Sequence, residues 1–322
     1  MFDASEITTP NQEALPYLPI VPVVETLSWQ TRIFKSAVGA EVRTPLLRYP
    51  NYEIEYSFIF GFGEKDQLEL LSQASETVDW IVPLVYQMAL VDNFSSTLRP
   101  ISSFSTRRSP FYKVFNIVAL VNPLCGNIVY KHLSSTVSPS DATLYYLSPF
   151  TDAQVDLLKG GDTYLCPCVA AQIEPSISSN QVGLSREGDM LSLRWRWNGE
   201  YEGKLHYTDT FSFVSAVQSP LNVTETAPQV DFGDNFTGVN RYKPEAQPFD
   251  SGQTIKAEYF LDTSYNRDDY SFRGALLGAH GGSQAKHYVY DDKLHRLAGD
   301  SVSITYDQRV ATASMSLKEV TA

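Results

Sequence analysis

The sequence predicts a mainly β protein with a few helices, an α+β chain of β-sandwich/helix modules. Three observations carry that expectation. Aromatic residues make up 12% of the chain, with 19 Tyr and 17 Phe, and these residue types suit pleated, half-buried surfaces. Several segments alternate apolar and polar residues with period two. Only residues 64–78 and 267–280 sustain the spacing of three and four that marks an amphipathic helix.

The elements follow in order. The first ~25 residues carry Pro10, Pro16, Pro19 and Pro22, so they read as an extended arm rather than a folded element. Val23 to Phe34 reads as one strand, residues 35–40 as a turn and Glu41 to Leu47 as the next strand. In Tyr52 to Phe60, Tyr52, Ile54, Tyr56, Phe58 and Phe60 alternate with Glu53, Glu55, Ser57 and Ile59, the pattern of a sheet with one buried face. After Gly61-Phe62-Gly63, Leu68, Leu71, Ala74, Ser75 and Val78 define a helix, and Trp80 to Val85 a short apolar strand.

Short strands separated by turn residues follow: Val114 to Val121, Asn127 to Leu133 and Ala142 to Leu147. Thr151 to Leu158 suits one or two helical turns stopped by Gly160-Gly161, and Tyr164 to Ile173 is a strand. Ser185 to Trp197 and Leu205 to Val217 are longer strands, followed by a loop from Pro220 to Pro248. Thr254 to Leu261 is a strand, Arg267 to His280 a helix with Phe272, Ala275, Leu276 and Ala279 inward, and His287 to Tyr290 a strand. The order strand, acidic loop, helix, aromatic strand thus occurs twice, which suggests a duplicated module. The expected division is an extended arm (1–22), an N-terminal module (23–92), a small β-barrel-like insertion (93–172) and a C-terminal β-rich module with one helix (173–322).

Charge excludes several functions. Lys plus Arg number 25 and Asp plus Glu 37, a net charge of −12. Such a chain repels phosphate backbones, which argues against specific nucleic-acid binding. The longest apolar runs, Ile117 to Val121 and Trp80 to Val85, are too short for a membrane segment. The start, Met1 to Glu6, has no signal-peptide pattern, and three cysteines do not make a paired secreted framework. The expected compartment is a reducing cytoplasm.

Local chemistry offers no catalytic residue. Cys166-Pro167-Cys168 has one intervening residue and no second pair, whereas zinc sites use about four ligands in wider pairs. Two small buried residues in a strand is the plainer reading. The five histidines lack metal-binding spacings, and Asp231-Phe232-Gly233 stands without the other kinase motifs. The paired acids Asp231/Asp234, Asp268/Asp269 and Asp291/Asp292 suit solvated turns. Trp29, Trp80, Trp195 and Trp197 with abundant Tyr make a carbohydrate-binding or carbohydrate-cleaving surface conceivable. Trp195 and Trp197 fall on one strand face with Arg194 and Arg196 opposite, which suits a core or interface stripe equally. No cofactor or metal is expected.

One stretch carries a resemblance: Val24-Glu25-Thr26-Leu27-Ser28-Trp29-Gln30-Thr31, Gly39-Ala40-Glu41-Val42-Arg43, Arg48-Tyr49-Pro50 and Tyr52-Glu53-Ile54-Glu55-Tyr56. It resembles the distal-tail type of tail-tip (baseplate) proteins of long-tailed bacteriophages. The helix after it and Trp80-Ile81-Val82-Pro83-Leu84 are similar to that family's helix and W-x-x-P-L strand. Tyr164 to Cys168, Leu191 to Trp195 and Phe272 to Tyr290 match in pattern. The resemblance implies tail-tube-like modules and a non-enzymatic structural subunit, forming a ring of self-associated copies, a hexamer or a trimer if the module is duplicated. Its implied partners are the tail tube protein, the tape-measure protein, the baseplate hub and receptor-binding proteins. Its implied location is the virion tail tip, with the host cytoplasm during assembly. Under it, Trp29, Glu41, Arg43, Arg48, Tyr52, Tyr56 and Trp80 are the candidate subunit-interface residues.

Overall fold

The computed structural model describes residues 2–5, 12–35, 41–47, 49–60, 78–92, 103–106, 116–137, 143–174, 178–181, 189–198, 213, 254–263, 268–278 and 294–320. These are mostly β, with two α-helices among the described residues. In chain order the strands are β1 (Phe2–Asp3), β2 (Gln12–Ala14), β3 (Ile20–Ser28), β4 (Thr31–Lys35), β5 (Glu41–Pro45), β6 (Asn51–Phe60), β7 (Asp79–Pro83), β8 (Ala89–Asp92), β9 (Ser103–Thr106), β10 (Ile117–Asn122), β11 (Asn127–Val137), β12 (Thr143–Leu147), β13 (Tyr164–Ile173), β14 (Ser178–Gln181), β15 (Asp189–Asn198), β16 (Thr254–Asp262), β17 (His295–Leu297), β18 (Ser301–Asp307) and β19 (Val310–Glu319). The helices are α1 (Asp152–Leu158) and α2 (Asp268–Gly278). Two compact units contain them: β1, β2, β6 to β15 and α1 in the first, β4, β5, β16, β17, β19 and α2 in the second, with residues of β3 and β18 in both.

In the first unit β13 is the central strand. Along its first half it pairs antiparallel with β8 and β10, and along its second half with β7 and β15. Leu165 to Val169 are all buried, so this strand is covered on both faces. Pro167 lacks the N–H an interior strand uses, yet its carbonyl accepts from the Leu84 amide (2.8 Å) where the neighbouring strand passes from β8 to β7. The longest ladder joins β6 to β15, from Asn51↔Asn198 to Phe60↔Asp189. Its buried face holds the alternating residues read from the sequence, Tyr52, Ile54, Tyr56, Phe58 and Phe60.

The proline-punctuated N-terminus is extended, and its backbone is paired. β1 runs parallel to β11 and β2 parallel to β7. Asp3 holds the first of these in place, accepting from the Ser5 amide and the Gln154 side chain, each at 3.0 Å.

α1 starts at a capping box. The Thr151 hydroxyl accepts from the Gln154 amide (3.2 Å), and the Gln154 side chain accepts from the Thr151 amide (3.1 Å), which satisfies two orphan donors of the first turn. At the other end the Asn127 side chain donates to Leu157 (2.7 Å) and that of Asn122 to Leu158 (3.3 Å). The hairpin β10–β11 therefore caps the helix it packs against. A Cβ at Gly161 would stand 2.8 Å from the end of the Leu124 side chain, which is exposed and would have to swing aside.

In the second unit β16 pairs along its whole length with β19, from Thr254↔Lys318 to Asp262↔Val310, and β17 also pairs with β19. α2 lies on β16 through Phe272 and Tyr259, whose ring centroids are 5.6 Å apart. Phe213 completes that cluster, and its carbonyl accepts from the Tyr259 hydroxyl (2.7 Å). β4 and β5 form a separate two-stranded ribbon.

Some expected elements fall elsewhere. The helix expected at 64–78 and the strand at His287 to Tyr290 lie, but for Val78, outside the described residues, as do most of Leu205 to Val217 and the loop to Pro248, so the duplication rests on sequence order. The strand expected from Val23 to Phe34 is broken. The Asp300 carbonyl accepts from the Trp29 amide (2.7 Å) and its carboxylate from the Thr31 amide (2.8 Å), so β3 ends before Trp29 and β4 begins after Gln30. Trp80 to Val85 ends as a strand at Pro83 and turns into a short 3₁₀ helix, Val85–Gln87.

Candidate functional site

The seven residues singled out by the resemblance occupy different environments. Tyr52, Tyr56, Trp80 and Trp29 are all buried in the chain itself. The Tyr56 hydroxyl donates to the Pro83 carbonyl (2.7 Å) and accepts from the Val85 amide (3.3 Å), tying β6 to the end of β7. Burial, opposed by the Val85 amide, pushes its phenol well above the usual range, so it stays a neutral donor. Arg43 in β5 donates to the Leu297 carbonyl (2.8 Å). Glu41 pairs through its backbone with Lys35. Arg48 lies outside the described residues.

The tryptophan stripe is core. Trp195 sits 5.6 Å from the Tyr56 ring and 6.2 Å from that of Phe58, while Trp197 stacks on Tyr52 at 5.4 Å. Alternation then places Arg194 and Arg196 on the opposite face. There Arg194 bridges Glu53 (3.0 Å), Glu55 (2.9 Å) and Glu174 (3.6 Å), and Arg196 bridges Glu53 (3.3 Å) and Glu174. With all four tryptophans at most 4% exposed, none is placed to stack on a sugar.

Cys166 and Cys168 are buried, and burial pushes both thiols up, so both are protonated and inert at neutral pH. Among the described residues no group of three or more His, Cys, Asp or Glu could hold a metal ion. Glu25, a fully buried carboxylate, accepts from the Tyr86 hydroxyl (2.7 Å) and the Tyr306 hydroxyl (3.2 Å), whose rings stack at 4.4 Å. It has no exposure to solvent and acts as a buried tie.

The surface feature that stands out is the β4–β5 ribbon. Its register pairs Arg32↔Thr44, Ile33↔Arg43 and Phe34↔Val42. Residues 32, 34, 42 and 44 therefore share one face and 31, 33, 43 and 45 the other. Arg43 turns the second face toward β17 of its own unit. On the first face Phe34 is 67% exposed and Val42 61%, and Leu46 just beyond is 59% exposed. An aromatic/β-branched cross-strand pair usually lies in a core; here it faces water. The sequence points to this hairpin by its charges, Glu41 and Arg43; the signal it hides is the apolar pair of Val42 between them and Phe34 across the ribbon.

No helix among the described residues is long and apolar enough to cross a membrane. Neither a protein-family model nor a curated protein matches this chain.

Proposed function

We propose that the chain is a non-enzymatic structural subunit of a phage tail tip. It forms a ring that joins the tail tube to the hub and host-attachment apparatus. In this reading the modules are tail-tube-like, residues 93–172 are a barrel-like insertion, and the ring is a hexamer, or a trimer if the module is duplicated. The neighbours are the tail tube, tape-measure, hub and receptor-binding proteins, met in the virion after assembly in the host cytoplasm.

The observation that supports this most is the ribbon. The stretch carrying the resemblance, residues 24–56, forms strand, ribbon, strand. Trp29, Tyr52 and Tyr56 anchor it inside, and its ribbon carries the uncovered apolar pair Phe34 and Val42 outside. A two-stranded ribbon is marginal alone in water, so one that exposes Phe34 and Val42 gains by being covered in an assembly. No cofactor takes part, and the working surfaces are strand edges and faces.

Electron cryo-microscopy of the purified particle tests the reading. The expected result is density for this chain closing a ring around the tail axis, with its symmetry deciding between trimer and hexamer. A particle that lacks the chain would overturn it.

A further inference from the structure

The ribbon's charge is opposite to that of the rest of the chain. The ribbon, residues 31–45, contains Arg32, Lys35 and Arg43 against the single acid Glu41, a net +2. The whole chain carries −12, so the other residues carry −14. Charges of this kind steer association and exclude like-charged pairings. Two ribbons placed face to face would bring +2 against +2. A ribbon against the acidic body of another molecule meets a complementary field.

We propose that the outward face of the β4–β5 ribbon docks on the acidic surface of a second copy of this chain, away from that copy's own ribbon. Phe34 and Val42 supply the apolar centre of the contact and Arg32, beside them on the same face, its cationic rim. Such a contact joins two different surfaces, so it is heterologous. Repeated, it closes a ring or grows a filament instead of stopping at a two-fold dimer. The inference deepens the tail-tip reading, and only the closing of the ring rests on that reading.

The test uses the full chain with photo-reactive benzoylphenylalanine in place of Phe34, mixed as ¹⁵N-labelled and unlabelled protein and irradiated. The expected product is a mixed-isotope cross-link from residue 34 to a peptide outside residues 26–50. Cross-links confined to 26–50 of the partner copy, or no mixed-isotope product at 100 μM protein, would overturn the proposal. Sedimentation velocity of variants gives the second readout. Phe34→Ser should weaken self-association at least tenfold at any salt concentration, and Arg32→Glu at least tenfold at low salt with a smaller effect at high salt. Both residues are exposed, so both variants should keep the parent melting temperature. Unchanged association in both variants refutes the ribbon contact. A particle without this chain refutes the tail-tip reading and leaves a positive cross-link standing. A particle ring in which residue 34 cross-links only to another protein refutes the ribbon contact alone.

Discussion

Replacing Tyr56 by Phe removes one oxygen from the centre of the first unit and no carbon. The hydroxyl is fully buried and both gives and takes a hydrogen bond, to the Pro83 carbonyl and from the Val85 amide. The ring contacts with Phe58 and Trp195 survive the change, so the packing loss is close to zero and the cost is that of two stranded backbone groups. Leaving a buried donor or acceptor unmade costs about 1–3 kcal/mol. Both groups sit where a strand gives way to a 3₁₀ turn, so some relaxation is expected, and the combined loss should be about 2 kcal/mol. The assay is urea unfolding followed by tryptophan fluorescence, with Trp195 beside the mutated ring as reporter and an unchanged slope as the check that only stability moved. The pH dependence adds a sign. A phenol raised in the folded state contributes stability that is complete below its unfolded value near 10 and is lost as pH rises toward the folded one. The parent should therefore destabilise more steeply above pH 10 than Tyr56→Phe. A loss under about 0.5 kcal/mol, or parallel alkaline limbs, would refute the assignment of this hydroxyl as the tie between β6 and β7.

Thiol titration of the native protein should find one reactive cysteine, the exposed Cys125, with Cys166 and Cys168 reacting only after denaturation; three fast thiols would contradict the burial of β13. Thr151→Ala should cost about 1 kcal/mol through loss of the helix cap, and Thr151→Ser should restore most of it in the same melt. Arg194→Ala should cost less than about 1 kcal/mol and the difference should fade in 1 M salt, because the guanidinium is 39% exposed and its bridges lie on an open face. For Asp3, burial raises the carboxyl, but the Ser5 and Gln154 hydrogen bonds and the Lys131 charge outweigh it, leaving the group below its usual value. Its contribution is present above about pH 4 and is lost as pH falls through the folded value. The protection of the β1 amides against hydrogen exchange, relative to the free-peptide rate at each pH, should fall in acid in the parent and show a flatter pH response in Asp3→Asn.

Period-two alternation was the legible part of this fold. β6 matches its expected span within a residue, and β13 runs from Tyr164 to Ile173 as read. The same signal is present in Ser301 to Asp307, where Val302, Ile304 and Tyr306 are buried, and in Val310 to Glu319, where Ala311, Ala313, Met315 and Leu317 are buried. In Val310 to Glu319 the small Ala311 and Ala313 on one face and the serines and threonine on the other give little hydrophobic contrast, whereas Val302, Ile304 and Tyr306 alternate with Ser301, Ser303 and Thr305 in full contrast. The break between β3 and β4 had no local signal at all. It is made by Asp300, about 270 residues away, capturing the Trp29 and Thr31 amides. Long-range capture also explains the candidate site. Tyr52, Tyr56 and Trp80 look like contact residues in one dimension, but β15 brings Trp195 and Trp197 over two of them and makes them core. Arg43 looks like a surface charge until β17 offers it a carbonyl.

The tie at Glu25 has a consequence in time. Its second tyrosine partner, Tyr306, lies 281 positions downstream. A ribosome adding about 5–20 residues per second takes roughly 15–60 s to cover that interval. Throughout it, a carboxylate destined for a dry interior has no Tyr306 to close over it. The nascent chain is therefore held short of its finished state until almost all of this sequence has been made. Any arrest of translation before residue 306 leaves a product whose first unit is open at Glu25, and so easily told apart from a finished one by a protease.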